Sequence, residues 1–436
     1  MKYFKTISLG CRVNQYETAW LNEQLTGKGM LYEEDIKKAG HIIINTCYVT
    51  ASAANQCRQV IRKVIREAPD AKITVTGCYA QIEPETLKAI GGISLLVGNS
   101  LKHNLPELIF EKMLKSNDVV LTQPFLPDFC FKQMPIKIFP GRTRAMVKIQ
   151  DGCESKCSYC IVPKARGPYR SLPHGDILAI LTSIADNGIK EVVLTGIHLG
   201  MYGLDIDSSL VHLLKIIGKS GVPFRIRLSS IEPTEITQEL IELVAYEPWL
   251  CRHFHIPLQS GDNSVLLNMN RRYTVSEYEK IISRIKDKIP LGGIGADVMT
   301  GFPGEDEAAH ANTLNFIKDI PISYLHVFPF SSRPYTPAEK MRNKVPADIK
   351  KKRSAQLRTL GEEKRTAFFK DSIGHNFNVV SEGSNNKNSA IAKGFSDTYL
   401  PVRFKAAVGS EGSLFNVYIE QASKFWVEGT IKNKIL

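Results

Sequence analysis

At 436 residues the chain is long enough for two to four domains of about 100 to 200 residues each, so it excludes a mini-protein that depends on disulfides. Hydrophobic residues at 43% and charged residues at 23% lie near the globular average, which excludes a largely disordered, collagenous or coiled-coil chain. Lys and Arg number 56 against 44 Asp and Glu, a net charge of +12 that favours polyanionic partners; residues 341 to 370 alone carry ten basic and three acidic side chains. No apolar run reaches the ~20 residues of a spanning helix, and M-K-Y-F-K-T-I-S-L-G-C lacks the pattern of a secretory signal. The expected location is cytoplasmic, with no membrane partner.

From the first residues, short apolar runs alternate with helix-like segments. Residues 3–9, 41–44, 72–76 and 93–97 read as strands, and 14–28, 51–67 and 83–90 as helices. Such alternation predicts crossover units and a doubly wound, mainly parallel sheet over residues 1–115. Pro124, Pro127, Pro135 and Pro140 then punctuate a stretch of little periodicity, read as a linker over 116–140. A second series of strands at 145–150, 191–196, 225–229, 253–258, 295–300 and 324–329 is separated by helix-length segments. Six such units predict a partial (βα)6 barrel over 141–345, open on one side. A basic helical linker follows at 346–370. The last segment, 371–436, has short alternating runs between turn signals, the pattern of a small all-β barrel. The expected fold class is therefore α/β with a small all-β barrel at the end.

Nine cysteines punctuate these elements, and in a reducing compartment they serve as metal ligands, reactive thiols or packing residues. Cys153, Cys157 and Cys160 form C-x3-C-x2-C directly after the first barrel strand. Three thiolates on so tight a loop can hold three irons of a 4Fe-4S cluster and leave the fourth iron open for chemistry. A structural zinc ion wants four ligands, and neither a fourth Cys nor a nearby His supplies a convincing partner. Cys11, Cys47 and Cys78 each end an expected parallel strand of the first sheet, where strand carboxyl ends converge on a ligand crevice. Cys57, Cys130 and Cys251 lack such placement and read as ordinary thiols.

L-G-C-R-V-N-Q-Y-E, I-N-T-C-Y-V-T, G-C-Y-A-Q and C-E-S-K-C-S-Y-C-I-V-P-K-A-R-G resemble the motifs of the radical-SAM methylthiotransferases, and the terminal barrel resembles a TRAM domain. The resemblance implies two 4Fe-4S clusters. Cys153, Cys157 and Cys160 would hold the one that binds S-adenosylmethionine and cleaves it reductively to a 5'-deoxyadenosyl radical, and Cys11, Cys47 and Cys78 the auxiliary one that delivers sulfur. A radical suits the task, because an adenine C–H is too weakly acidic for a side-chain base. G-I-H-L-G-M-Y-G, R-I-R-L-S-S-I-E-P, H-F-H-I-P-L-Q-S-G and L-H-V-F-P-F-S-S-R-P-Y-T-P look most like the subfamily that acts on N6-threonylcarbamoyladenosine at position 37 of tRNA. The same chemistry on N6-isopentenyl-adenosine is the alternative. A non-catalytic zinc-containing RNA-binding protein is the alternative from another class. The implied partners are the tRNA anticodon stem-loop, an electron donor protein and a sulfur source.

The resemblance also places an aromatic, Tyr159, where it packs against the adenine of S-adenosylmethionine. Polar groups at barrel strand ends are further candidates for cofactor or substrate: Thr195, Gly196, Ser229, Glu232, Gln259 and Asp297. A threonyl carboxylate wants a cationic fork, for which Arg271, Arg272 and Arg333 are candidates. Gly301, Pro303 and Gly304 are expected to shape a turn. In the terminal barrel, Phe377, Tyr399, Arg403, Lys405, Phe425 and Trp426 supply the mixture of rings and cations that grips RNA, with the core claiming some of the rings.

Overall fold

The first sheet contains β1 (Tyr3–Ser8), β2 (Leu31–Tyr32), β3 (His41–Thr46), β4 (Lys72–Gly77), β5 (Leu95–Val97) and β6 (Val119–Leu121) in the computed structural model. The structure describes residues 3–113, 119–125, 130–136, 143–382 and 391–435. The sheet is parallel throughout, in the order β2-β1-β3-β4-β5-β6. Its central strands are buried on both faces and so read as unbroken apolar runs; Ile42, Ile43 and Ile44 are examples. The helix Ala51–Glu67 covers the sheet because Ala54, Cys57, Ile61 and Val64 recur at helical spacing, and Thr50 caps it by accepting from the Ala53 N–H. The helix expected over 83–90 is Pro84–Lys88, and a further short helix, Cys78–Ile82, stands directly before it; Pro84 can start a helix but not continue one, so the two stay separate. Two short strands, β2 and β6, carry too few residues to show a period; β6 lies inside the stretch read as a linker. Pro127, Pro140 and most of the turn expected after Ser381 fall outside the described residues.

Two compact units divide the described chain. One takes its residues from 1–138, 148–172 and 331–339, the other from 139–147, 173–330 and 340–436. The loop with Cys153, Cys157 and Cys160 thus belongs to the same unit as the first sheet. This loop is flanked by the short antiparallel pair β8 (Gln150–Asp151) and β9 (Arg170–Ser171).

The expected barrel strands form two three-stranded sheets, in the second unit but for Lys148 at the end of the first strand, which falls in the first unit. β7 (Ala145–Lys148), β10 (Glu191–Thr195) and β11 (Arg225–Leu228) form one in the order β11-β10-β7. β12 (His253–His255), β13 (Gly293–Thr300) and β14 (Tyr324–Pro329) form the other. A single parallel bridge, Ile226 to Leu250, spans the break. The architecture is an open (βα)6 arrangement.

After the helix Ala347–Asp371, a closed barrel runs β15-β16-β17-β19-β18, from β15 (Asn376–Ser381), β16 (Ile391–Ser396), β17 (Pro401–Lys405), β18 (Leu414–Ala422) and β19 (Val427–Lys434). Alternate residues point inward, so Phe377, Val379, Val402, Phe404, Val417 and Val427 fill its core. A buried ionic knot ties this barrel to the strands before it. Glu191 accepts from Arg225 Nε at 2.7 Å and Arg227 Nε at 2.8 Å, while Arg227 also donates to the Ser396 and Asp397 carbonyls.

Candidate metal centres and cofactor-binding residues

Cys11, Cys47 and Cys78 follow β1, β3 and β4, at the strand carboxyl ends beside the point where the chain order of the sheet reverses. Cys11 stands at the N-cap of the helix Arg12–Gly27, and Cys78 opens the helix Cys78–Ile82. Two glycines at positive φ permit the close approach of these loops. A Cβ on Gly10 (φ +97°) would lie 2.8 Å from Cys47 Sγ, and one on Gly77 (φ +106°) 2.3 Å from the Thr46 carbonyl oxygen. Burial pushes the Cys47 thiol up to about 12, and the neighbouring Cys78 and Cys11 sulfurs add to the shift. Asn99 donates to Cys78 Sγ at 3.4 Å and leaves its buried Oδ1 without a partner. Tyr48 and Tyr79, each next to a cysteine of this set, pack with ring centroids 4.6 Å apart. The buried guanidinium of Arg333 lies 3.7 Å over the Tyr48 ring, and its Nε has no partner. Cys57 is buried as well; its Sγ exchanges hydrogen bonds with the Cys47 backbone, which sequence spacing did not indicate.

The second triplet sits on a turn braced at both ends. Gly152 (φ +80°) packs so tightly that a Cβ would fall 1.8 Å from the Pro168 oxygen. The Cys153 N–H donates to Gly167 O at 3.0 Å and the Cys160 N–H to Cys157 O at 3.1 Å. All three cysteines and Tyr159 are partly exposed, as an open metal site requires. A zinc ion holds sulfurs at ~2.3 Å and so needs them within ~4 Å of one another. Among the described residues, the group of three ligand atoms that lies within 4.8 Å is instead His255, Asp297 and His326.

These last three belong to the second unit, on neighbouring strands β12, β13 and β14. His326 Nδ1 lies 3.3 Å and His255 Nε2 3.4 Å from Asp297 Oδ1. Asp297, expected from the sequence, is thus joined by two histidines that carried no local motif; the strand register brings them together. Thr195 ends β10 buried. Ser229 and Gln259 are also buried, and Ser229 Oγ and Gln259 Oε1 have no hydrogen-bond partner, as groups awaiting a ligand would. Gln259 adopts φ +65° and Gly196 is half-buried. Glu232 opens the turn Pro233–Glu235 and is ion-paired with Arg271, whose guanidinium also covers the Tyr273 ring. Arg271 is therefore engaged, whereas Arg272 is exposed. His198 meets Glu235 at 2.5 Å, a pair the sequence alone did not single out. Gly301 (φ +72°) lies under Lys350 of the basic helix: a Cβ there would be 2.0 Å from Lys350 Cγ. Gly304 has φ +90°, and Pro303 is buried.

In the terminal barrel, Phe377 belongs to the core. Tyr399 stacks on Phe395 beneath Arg227. Arg403 lies 3.2 Å over the Trp426 ring, Phe425 is 57% exposed with Lys424 above it, and Lys405 is exposed. On the preceding helix, Arg353 is buried against Glu305, while Lys351, Lys352 and Arg358 face solvent.

Residues 147–317 match the Radical SAM superfamily, and residues 3–98 match the uncharacterized protein family UPF0004. The chain is 35% identical over 427 residues to a protein of Bacillus subtilis named threonylcarbamoyladenosine tRNA methylthiotransferase MtaB, covering 97% of this chain and 94% of that one. It is 37% identical over 368 residues to the Aquifex aeolicus protein of the same name, covering 84% of this chain and 90% of the relative. It is also 33% identical over 443 residues to a Staphylococcus saprophyticus tRNA-2-methylthio-N(6)-dimethylallyladenosine synthase, covering 98% of this chain and 85% of the relative. Among solved structures, the fold resembles the radical S-adenosylmethionine methyltransferase TsrM of Kitasatospora setae, with a TM-score of 0.58 and 16% identity over 77% of each chain. Together with thiols gathered at the strand ends and on the braced loop, these relationships show that the chain belongs to the radical-SAM tRNA methylthiotransferases.

Proposed function

We propose that the protein methylthiolates C2 of N6-threonylcarbamoyladenosine at position 37 of tRNA, with two 4Fe-4S clusters and S-adenosylmethionine. The observation that carries this substrate is the 35% identity over 97% of the chain to a threonylcarbamoyladenosine methylthiotransferase. Cys153, Cys157 and Cys160 would hold one cluster and Cys11, Cys47 and Cys78 the other. Such a cluster, when bound with an open iron, supplies the electron that cleaves the sulfonium of S-adenosylmethionine.

The chain's own residues take the remaining roles. The unpartnered Ser229 Oγ and Gln259 Oε1 offer hydrogen bonds to a ribose or methionyl group, and Thr195 at the end of β10, Gly196 and Glu232 in loops and Asp297 within β13 are the further polar candidates of the same unit. Tyr159 supplies a ring for the adenine. Arg333, buried over Tyr48 and with a free Nε, is the cation best placed beside Cys47 for a threonyl carboxylate. Arg271 is held by Glu232, and Arg272 is the exposed alternative. The terminal barrel and the solvent-facing lysines before it would grip the anticodon stem-loop. The reaction would also draw on an electron donor protein and a sulfur source, and a tRNA substrate favours a cytoplasmic location. Among the described residues, no helix is long and apolar enough to cross a membrane.

The 33% identity to a dimethylallyladenosine synthase favours the isopentenyl nucleoside as second reading. Digestion of tRNA from cells lacking this protein, followed by mass analysis of nucleosides, decides between them. Loss of the 2-methylthio-threonylcarbamoyl species supports the first reading. Its retention with loss of the isopentenyl derivative supports the second.

A further inference from the structure

Six ionic side chains lie buried together in the first unit, two of them, Glu17 and Arg166, within the cysteine motifs themselves. Glu17 is 1% exposed, Lys102 1%, Lys148 3%, Arg166 2%, Arg170 6% and Asp151 9%. Glu17 accepts from Arg166 Nη1 at 2.5 Å, Lys102 Nζ at 2.6 Å and Lys148 Nζ at 3.1 Å. Asp151 lies 3.1 Å from Lys148, 3.3 Å from Arg166 and 3.7 Å from Arg170. Four cations thus face two carboxylates. A buried excess of charge is expensive unless an anion compensates it.

The geometry says where that anion belongs. Asn99 bridges Cys78 Sγ and the carbonyl of Ala165, the residue before Arg166. Arg166 Nη2 donates to Asn14 Oδ1 at 2.6 Å, and Asn14 Nδ2 in turn holds the carbonyls of Leu9 and Thr46, at the loops of Cys11 and Cys47. Arg166 Nε is buried and has no partner. Lys102 Nζ, besides meeting Glu17, donates to Asn45 Oδ1 at 3.1 Å, two residues before Cys47. We propose that Arg166 and Lys102 are the fixed counter-charge of the cluster held by Cys11, Cys47 and Cys78, and that they raise its reduction potential.

The inference rests on the two-cluster reading above. Three thiolates on a 2+ cube carry a net −1, and one-electron reduction makes it −2. A pair of nearby buried cations therefore favours the reduced form. Both are positioning residues, acting through the cluster rather than on substrate.

The test uses the C153A/C157A/C160A variant, which retains only this cluster, reconstituted without oxygen. Iron and sulfide are assayed first, and the potential is then read by EPR-monitored redox titration. Arg166→Met should lower the reduced-to-oxidised ratio at fixed ambient potential at least tenfold, about 59 mV for a one-electron couple. Lys102→Met should shift it in the same direction, Arg166→Lys should keep it within threefold of the parent, and Glu17→Gln should raise it. A purely structural role would change cluster content without these opposed signs. If Arg166→Met fails to hold iron, Glu17→Gln decides: a raised ratio supports the inference, and a lowered or unchanged one overturns it. Ratios within threefold of the parent in all charge variants also overturn it. A parent triple variant that binds no iron and sulfide overturns the two-cluster reading first.

Discussion

Replacing Glu191 by Gln removes a single carboxylate from the knot that joins the strands of the second unit to the terminal barrel. Glu191 is fully buried and holds Arg225 and Arg227, with Arg144 3.8 Å away. These guanidinium groups keep its carboxyl far below the usual carboxylate range, against the opposing effect of burial. Breaking one partner of a buried pair costs about 3 to 5 kcal/mol. Here the two arginines keep carbonyl acceptors on Asn378, Phe395, Ser396 and Asp397, and the Gln oxygen still accepts one hydrogen bond, so the lower end, about 3 kcal/mol, applies. For a unit of this size that corresponds to a fall in Tm of about 6 to 12 °C. Differential scanning calorimetry at neutral pH measures it, and hydrogen exchange should show lost protection in β15 and β16. Because the depressed carboxyl contributes above its unfolded pKa and loses that contribution as pH falls, the two proteins should converge in acid. A Glu191→Gln protein whose Tm matches the parent at pH 7 would refute the reasoning.

Burial lowers the pKa of His41 to about 4 from 6.5; its Nε2 meets Thr74 Oγ1 at 2.8 Å and its Nδ1 has no partner. The unfolded chain binds the extra proton, so about 3 kcal/mol of stability should vanish as pH falls from 6.5 to 4, and His41→Leu should flatten that slope in urea titrations. Phe425→Ala should weaken tRNA binding by about 1 to 3 kcal/mol at unchanged iron content, read by filter binding. Removing Lys351 and Lys352 should reduce the salt dependence of that binding by about one unit each. Cys157→Ala should abolish reductive cleavage of S-adenosylmethionine, whereas Cys47→Ala should spare cleavage and stop thiolation; a Cys47→Ala enzyme that thiolates normally contradicts the division of labour.

The cysteines were legible because each stands at a recognisable place in a periodic pattern: Cys11, Cys47 and Cys78 at strand ends, and Cys153, Cys157 and Cys160 on one short loop. The strands were legible for the same reason, with ends off by a few residues where apolar runs outlast the ladder, as after His255. What escaped depends on register and on long-range contact. His255, Asp297 and His326 meet because β12, β13 and β14 align them, and no spacing in one strand announces that. Glu17 and Arg166 are 149 positions apart and each reads as a surface charge until the chain folds over it. Arg353, in the basic stretch, and Arg271 look like available cations, yet Glu305 and Glu232 hold them. β2 and β6 were missed because two or three residues cannot display a period of two.

The most direct test of the account counts iron. Protein purified and reconstituted without oxygen should contain about eight irons and as many sulfides per chain. The C11A/C47A/C78A and C153A/C157A/C160A variants should each retain about four. Stoichiometric zinc in place of iron, or a full complement of iron that survives loss of either triplet, would contradict it.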